Sequence, residues 1–430
     1  METGDVIDLE ITDVAHGGVF VGRWADPAAP GERGRVVFVP DTLPGERVRV
    51  RLTDTRKAAF WRGEVDEVME ASPHRRPHVW AQAGLDRPAA ERPGGADFGH
   101  IALPEQRALK LRVVTDALAR IGRLDLPATI EPPRPVRRAD GSVDDESPDG
   151  TGWRTRVSLH VDDEGRIGPF GARSHRVVPI TELPLATSAI ARVAAGLDHG
   201  RPGRIDLVQP ADGVVRILAR PDARPARRAK HEVVGERVGA REFRVDAGGF
   251  WQVHRLAAAT LTELVTDALR DVAADADGWH LDLYGGVGLL AAAIGDAVGD
   301  GVRVTTIESD PRATEHAGRN LAEWVGARAE TARVERWVRA LSADAGASER
   351  ERLRRGVVVL DPPRAGAGQE TARAIAGLGP RGIVYVACDP VALARDLAVF
   401  RDEGYTAETV RAVDLFPNSH HIEAVVALTR

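Results

Sequence analysis

Residues 281–295, LDLYGGVGLLAAAIG, followed by VRVTTIE at 302–308, decide the fold. LDLY is a short apolar run, Gly285 and Gly286 make a turn, VGLLAAAIG has helical composition, and VRVTTIE is rich in β-branched residues. Two strands joined through a helix cannot form a hairpin and must pair in parallel or through a further strand. Working outward, PRATEHAGRNLAEW (311–324) reads as a second helix, and VVVLDPP (357–363), IVYVAC (383–388) and IEAVVALT (422–429) as further strands. The alternation predicts an α/β domain with a doubly wound parallel sheet.

In such a sheet chemistry collects at the carboxyl ends of the strands. There the glycines of Tyr284-Gly285-Gly286-Val287-Gly288 let a ligand approach the backbone. Glu308 closes the next strand, where an acid can accept both hydroxyls of a ribose. The turn departs from GxGxxG because Leu289, Leu290 and Ala291 follow Gly288. A nucleoside cofactor without pyrophosphate fits better, and S-adenosyl-L-methionine is the expected one; the alternative is a purely structural turn. Asp361-Pro362-Pro363-Arg364 ends another strand, where two rigid prolines hold a loop open beside a carboxylate.

Cys388, the only cysteine of the chain, ends IVYVAC, and Asp389-Pro390 open the helix that follows. The helix N-terminus is expected to favour thiolate. The competing reading is a small buried hydrophobe. Asp414-Leu415-Phe416-Pro417-Asn418-Ser419-His420-His421-Ile422-Glu423 leads into the last strand, where Glu423 is either a partly buried base or a strand-end cap.

Composition narrows the function classes. A single cysteine excludes a disulfide framework and four-cysteine zinc or iron–sulfur sites within the chain. There is no run of about 18 apolar residues for a membrane span, and METGDVIDLE lacks a signal pattern. A cytoplasmic monomer is expected. The net charge of −6 decides nothing about nucleic acid, since local patches govern binding.

Three domains are expected, at 1–70, 71–245 and 246–430. The first alternates VIDLEITDV, GVFVGR, RVVFVP and ERVRVRLTD between glycine and proline turns, the cadence of a compact barrel. Arg47, Arg49 and Arg51 on one strand face, with Lys57, Phe60, Trp61 and Arg62, suit RNA contact as well as a solvated face. The central part is mixed: an irregular stretch at 72–99 containing His74 and His78, a helix at 104–122, an exposed loop at 131–150, and a helix near 181–198. A basic segment at 216–230, RILARPDARPARRAK, is the best phosphate-contacting candidate.

HGGVFVGR, RVVFVPDTLPGERVRV and FWRGEVDEV resemble a TRAM domain, an OB-like RNA-binding barrel. FWQVH (250–254), DLYGGVG, IESDP, LDPPR, VACDPVALARDL and DLFPNSHHIE, in this order, resemble the RNA 5-methyluridine (uracil-C5) methyltransferase family. That resemblance implies a class I (Rossmann-like) S-adenosylmethionine methyltransferase domain acting on ribosomal or transfer RNA, the barrel favouring ribosomal RNA. It implies that Cys388 is the nucleophile, Glu423 the general base, and that Gln252, Tyr284, Gly286, Glu308 and Asp361 bind cofactor.

The chain departs from the family at Gly285 (commonly Cys), at His254 (usually Asn) and at Asp389 (usually Asn). It also lacks the cysteines that hold an iron–sulfur cluster in some members, so no cluster is expected. Two other readings compete: a non-catalytic RNA-binding or RNA-folding protein on the same scaffold, and a methyltransferase with another nucleic-acid target.

Overall fold

The computed structural model describes residues 1–26, 34–138, 140–172, 174–222 and 231–430. β1 (Val6–Ala15), β2 (Val19–Trp24), β3 (Arg35–Val39), β4 (Arg47–Asp54) and β5 (Phe60–Glu70) close into a barrel in the order β1-β2-β3-β5-β4. Alternate residues point inward, and Leu9, Ile11, Phe20, Val37, Val50 and Leu52 fill the interior. The outward arginines of β4 are already engaged. Arg49 meets Asp8 and Glu67 at 3.2 and 2.8 Å, Arg51 meets Asp66 at 2.6 Å, and Arg47 lies 3.6 Å from Glu70. Phe60 keeps cations over its ring, with Lys57 at 4.9 Å and Arg62 at 5.8 Å.

After the barrel the chain runs irregularly to α1 (Leu103–Ala117), which ends in a wider turn at 118–122. His78 is a structural residue here: Nε2 meets the Ala96 carbonyl at 3.0 Å and Nδ1 accepts from the Trp80 amide at 3.0 Å, leaving neither ring nitrogen for a metal. β6 (Ala128–Glu131) and a small hairpin of β7 (Val136–Arg137) and β8 (Val143–Asp144) follow. The expected loop at 131–150 is thus partly ordered.

Next come β9 (Arg156–Val161), β10 (Ile167–Gly168), α2 (Ser188–Ala195), β11 (Gly203–Val208) and β12 (Arg216–Pro221), whose strands form an antiparallel sheet β10-β9-β11-β12. α2 is shorter than the expected 181–198 because Thr187 caps it, its hydroxyl accepting from the Ile190 amide. β13 (Val233–Val238) and β14 (Arg241–Asp246) form a hairpin. In the basic segment, Arg216 is paired with Asp212 and Glu232, and Arg220 with Asp206; its residues 223–230 lie outside the described residues.

The C-terminal part contains α3 (Ala257–Asp271), β15 (Trp279–Leu283), α4 (Leu289–Val298), β16 (Arg303–Glu308), α5 (Pro311–Asn320), β17 (Arg328–Thr331), α6 (Val334–Asp344), α7 (Ala347–Arg355), β18 (Val357–Leu360), α8 (Gln369–Gly377), β19 (Gly382–Ala387), α9 (Pro390–Asp402), β20 (Thr406–Val413) and β21 (Glu423–Thr429). Its sheet has the order β17-β16-β15-β18-β19-β21-β20-β6. Two cores cover its faces, one built with α1, α6, α8 and α9, the other with α3, α4 and the β13–β14 hairpin. Fully buried strands such as β18 and β19 read as unbroken apolar runs for this reason.

Two expectations are corrected. The sheet is mixed: β21 runs antiparallel to both β19 and β20. Only residues 414–422 separate β20 from β21, with no crossover helix, so the chain must reverse direction. Residues 103–131, placed by sequence in the central domain, are built into this unit, with β6 pairing in parallel with β20 and α1 packing on α9. No helix among the described residues is long and apolar enough to cross a membrane.

Gly285 follows β15 with no room for a side chain. A Cβ there would collide with Thr306 Oγ1 and Asp282 Oδ2, themselves hydrogen-bonded at 2.8 Å. Gly285→Ala is therefore expected to destabilise the fold by about 1–3 kcal/mol, the usual effect of overpacking. Urea denaturation measures it, and an unchanged midpoint would contradict the packing described.

Candidate active site

The carboxyl edge of the parallel strands assembles the site. Cys388 leaves the end of β19, and the register pairs Ala387 with Ala424. Because β21 is reversed, its first residue, Glu423, falls beside Cys388 at this edge. Had β21 been parallel, Glu423 would lie at the opposite edge of the sheet. Asp389 caps α9, its Oδ1 accepting from the Ala392 amide at 2.8 Å, with Pro390 in the first turn.

Cys388 is half-buried and lines a cavity of about 120 Å³ together with His16, Gly18, Lys110, Arg364, Asp389 and His421. Burial pushes its thiol up to about 12, the carboxyls of Glu423 and Asp361 push the same way, and Arg364 opposes them. Burial and two acids thus hold the thiol up, against the thiolate expected from the helix N-terminus. Glu423, 5% exposed, is raised well above the carboxylate range by burial and by Asp361, again against Arg364. Asp361 is raised to about 7 by burial and by Asp282, and burial takes Asp282 to about 7 as well. Three acids and a thiol crowd one edge, and they cannot all be charged together.

The alkylation rate of a thiol follows its thiolate fraction, so Cys388 should react with iodoacetamide at pH 8 about a hundredfold or more slowly than a free cysteine. With one cysteine in the chain there is no background. A rate equal to that of the free amino acid would contradict the raised thiol.

The loop before β21 is clamped from the central region. Asn418, with φ of 65°, donates to the carbonyls of Asp149 and Gly150 and accepts from Arg76 at 2.6 Å and Gln106 at 3.0 Å. Its own amide donates to Gln106 Oε1 at 2.7 Å. Lys110, 2% exposed, reaches Asp414 at 2.5 Å and the Phe416 carbonyl at 3.0 Å. His420 meets Asp97 at 2.7 Å, and His421 lies 3.4 Å from Arg364. Sequence reasoning missed Lys110, Asp97 and His16. Their partners lie hundreds of residues away, and the one available signal was an unusual lysine in a chain with three.

The expected cofactor residues divide into two groups. Tyr284, with φ of 65°, donates to Glu335 at 3.4 Å. The Gly286 amide donates to Glu308 Oε2 at 3.2 Å, and Glu308 Oε1 accepts from the Asp310 amide at 2.7 Å. Gly286, with φ of 55°, has open space where a Cβ would stand. Together with Asp361 on the neighbouring β18 loop, these line one stretch of the edge. Gln252 stands apart from Cys388. It lines a groove of about 710 Å³ with Thr187, Gln209, Trp251 and His254. His254 is buried and stacked on Trp153 at 5.4 Å, and burial, with Arg255 adding, lowers its ring to about 3. Edge contacts of Trp153 on Phe416 (6.1 Å) and of Phe416 on His421 (5.8 Å) connect this groove to the cavity of Cys388.

Known proteins match this arrangement along the chain. The profile of the tRNA (Uracil-5-)-methyltransferase family matches residues 242–430, and that of the TRAM domain residues 1–65. Uncharacterized RNA methyltransferases from Streptomyces avermitilis and Streptomyces coelicolor are 37% and 38% identical to it, each over 99% of this chain and over 98% and 93% of their own. In fold, it is similar to the Pyrococcus abyssi tRNA (uracil-54, C5)-methyltransferase in complex with S-adenosyl-L-homocysteine, with a TM-score of 0.65 and 19% identity over 98% of this chain and 99% of that one. The chain belongs to the tRNA (uracil-5-)-methyltransferase family of RNA methyltransferases, with an N-terminal TRAM domain.

Proposed function

We propose that this chain methylates carbon 5 of a uridine in RNA by covalent catalysis. The observation that carries the reading is that Cys388, at the wall of a cavity, has the buried carboxyl of Glu423 beside it at the same sheet edge. Carbon 5 of uracil is a weak nucleophile. Addition of the Cys388 sulfur to carbon 6 forms a C–S bond and shifts the ring π electrons toward the carbonyl at carbon 4, leaving carbon 5 electron-rich. Carbon 5 then takes the methyl group as the methyl–sulfur bond of the sulfonium donor breaks, its electron pair leaving on a neutral thioether. Glu423 removes the proton left on carbon 5, the double bond re-forms, and the C–S bond to Cys388 breaks to return the thiolate.

S-adenosylmethionine, when bound, supplies an electrophilic methyl group on a positively charged sulfur. The residues present fit it: Glu308 beside the open Gly286 suits a ribose, and the carboxyls of Asp361 and Asp282, raised by burial and by neighbouring acids, suit a cation. Tyr284 and Asp361 would hold it from the sheet edge, and Gln252 would reach it from the adjoining groove. A cation there would lower the pKa of Asp361, Glu423 and Cys388 together, so the nucleophile is armed when donor is present. Arg364 adds a fixed positive charge and suits an RNA phosphate. The uracil must leave its stack to reach a cavity this small.

The test uses methyl-labelled S-adenosylmethionine with ribosomal RNA and transfer RNA, separately, from a strain lacking this gene. Label in 5-methyluridine after digestion to nucleosides supports the reading and names the RNA class. Label in another nucleoside, or none, overturns it.

A further inference from the structure

The cavity of Cys388 has a wall that the methyltransferase unit does not supply. His16, Gly17 and Gly18, the turn between β1 and β2 of the barrel, line it opposite Arg364 and His421. Gly18 is pressed so close that a Cβ would strike Asp97 Oδ2 and the His420 ring, and the His420–Asp97 pair closes the contact behind it. At the centre, His16 Nε2 meets Asp389 Oδ2 at 2.9 Å. Asp389 immediately follows Cys388, and its other oxygen caps α9.

We propose that His16 is a positioning residue for the nucleophile: through Asp389 it fixes the turn that carries Cys388, making the barrel part of the active site as well as an RNA-binding appendage. The inference rests on the methylation reading for its kinetic consequence but not for the contact itself. The departure at Asp389 gains a reason. An aspartate here accepts from a protonated His16 with a full charge on each side, a stronger tie than a neutral side chain makes.

The tie has a pH window. His16 is raised above its ordinary value by its bond to Asp389, against the opposing effect of burial, and Asp389 is lowered by the same bond, against burial. A raised histidine holds its contact fully below its unfolded value and loses it as pH rises through its folded one. The other charged or titratable groups around the cavity are Lys110, engaged with Asp414; Arg364, beside His421; and His420, held by Asp97. His16 is half-exposed, so solvent and salt weaken the effect.

A double-mutant cycle over the full chain tests this. His16→Ala should lower kcat for RNA methylation by about tenfold or more, as misplacing a reacting group does, with KM for RNA changed much less. Asp389→Asn still caps α9. His16→Ala/Asp389→Asn should be no worse than His16→Ala alone, because both remove one tie. Wild-type kcat should also fall as pH rises through the His16 titration, a dependence absent from His16→Ala. An unchanged kcat in His16→Ala, or effects of the two substitutions that multiply, overturns the proposal. A second arm needs neither RNA nor methyl donor: NMR of the His16 ring should titrate above the ordinary histidine value in the native chain and fall to that value or below it in Asp389→Asn, where burial alone remains. No difference there overturns the tie whatever reaction the protein performs, whereas a wild type inactive on RNA with the NMR shift intact refutes only the methylation reading.

Discussion

Cys388→Ala is expected to abolish methyl transfer to RNA, with loss of about 10⁴-fold or more, because removing a covalent nucleophile leaves only binding and orientation. The fold should survive. Cys388 is half-buried at a cavity wall, so truncation of one sulfur there removes little packing. Affinity for RNA and for S-adenosylmethionine should stay within a few-fold of wild type, as both contact surfaces remain. The measurement is single-turnover methylation paired with equilibrium RNA binding. Retention of methyl transfer in Cys388→Ala would remove the covalent route; retention of biological function without methyl transfer would favour an RNA-binding or RNA-folding role on the same scaffold.

Glu423→Gln separates the two halves of the reaction. Glutamine keeps the shape of the buried side chain but cannot take a proton, so addition and methyl transfer should proceed while release fails. A methylated RNA joined to Cys388 is expected to accumulate, and turnover should drop by about 10²–10⁴-fold, the range for loss of a general base. The position suits the role: Glu423 is buried and held well above the ordinary carboxylate range by desolvation and Asp361, so once ionised it is a strong base. Denaturing gels with labelled RNA report the adduct. A variant that turns over normally, or that never reaches the adduct, would assign the proton transfer to another group, Asp361 being the nearest acid in the same cluster.

The sequence disclosed the strands and helices of the C-terminal unit because fully buried parallel strands appear as short apolar runs and each is punctuated by glycine or proline. Cys388, Asp389 and Pro390 mark one such junction, and the structure has β19 ending and α9 beginning there. The direction of β21 was not legible. Periodicity reports which residues are buried, not which way a strand runs, and the missing crossover showed only once β20 was recognised as a strand. The thiol was misjudged for a related reason: the helix N-terminus is local in sequence, whereas the acids that outweigh it come from strands far apart in the chain. Gln252 and Cys388 sit in different hollows, which motif order along the chain does not reveal. His16 lies 373 residues from Asp389, and no local signal in HGG points to such a partner. Arg47, Arg49 and Arg51 show the opposite failure: a basic face obvious in sequence proves largely ion-paired.

The central claim is that the one sulfur of the chain bonds covalently to a pyrimidine ring during the reaction. 5-Fluorouridine-substituted RNA tests it most directly, since fluorine cannot be removed by a base as the proton is. Incubated with S-adenosylmethionine and analysed by mass spectrometry, the protein should gain the mass of the RNA plus one methyl group, with the modified peptide containing Cys388. Methylation without an adduct, or an adduct on any other residue, would contradict the account.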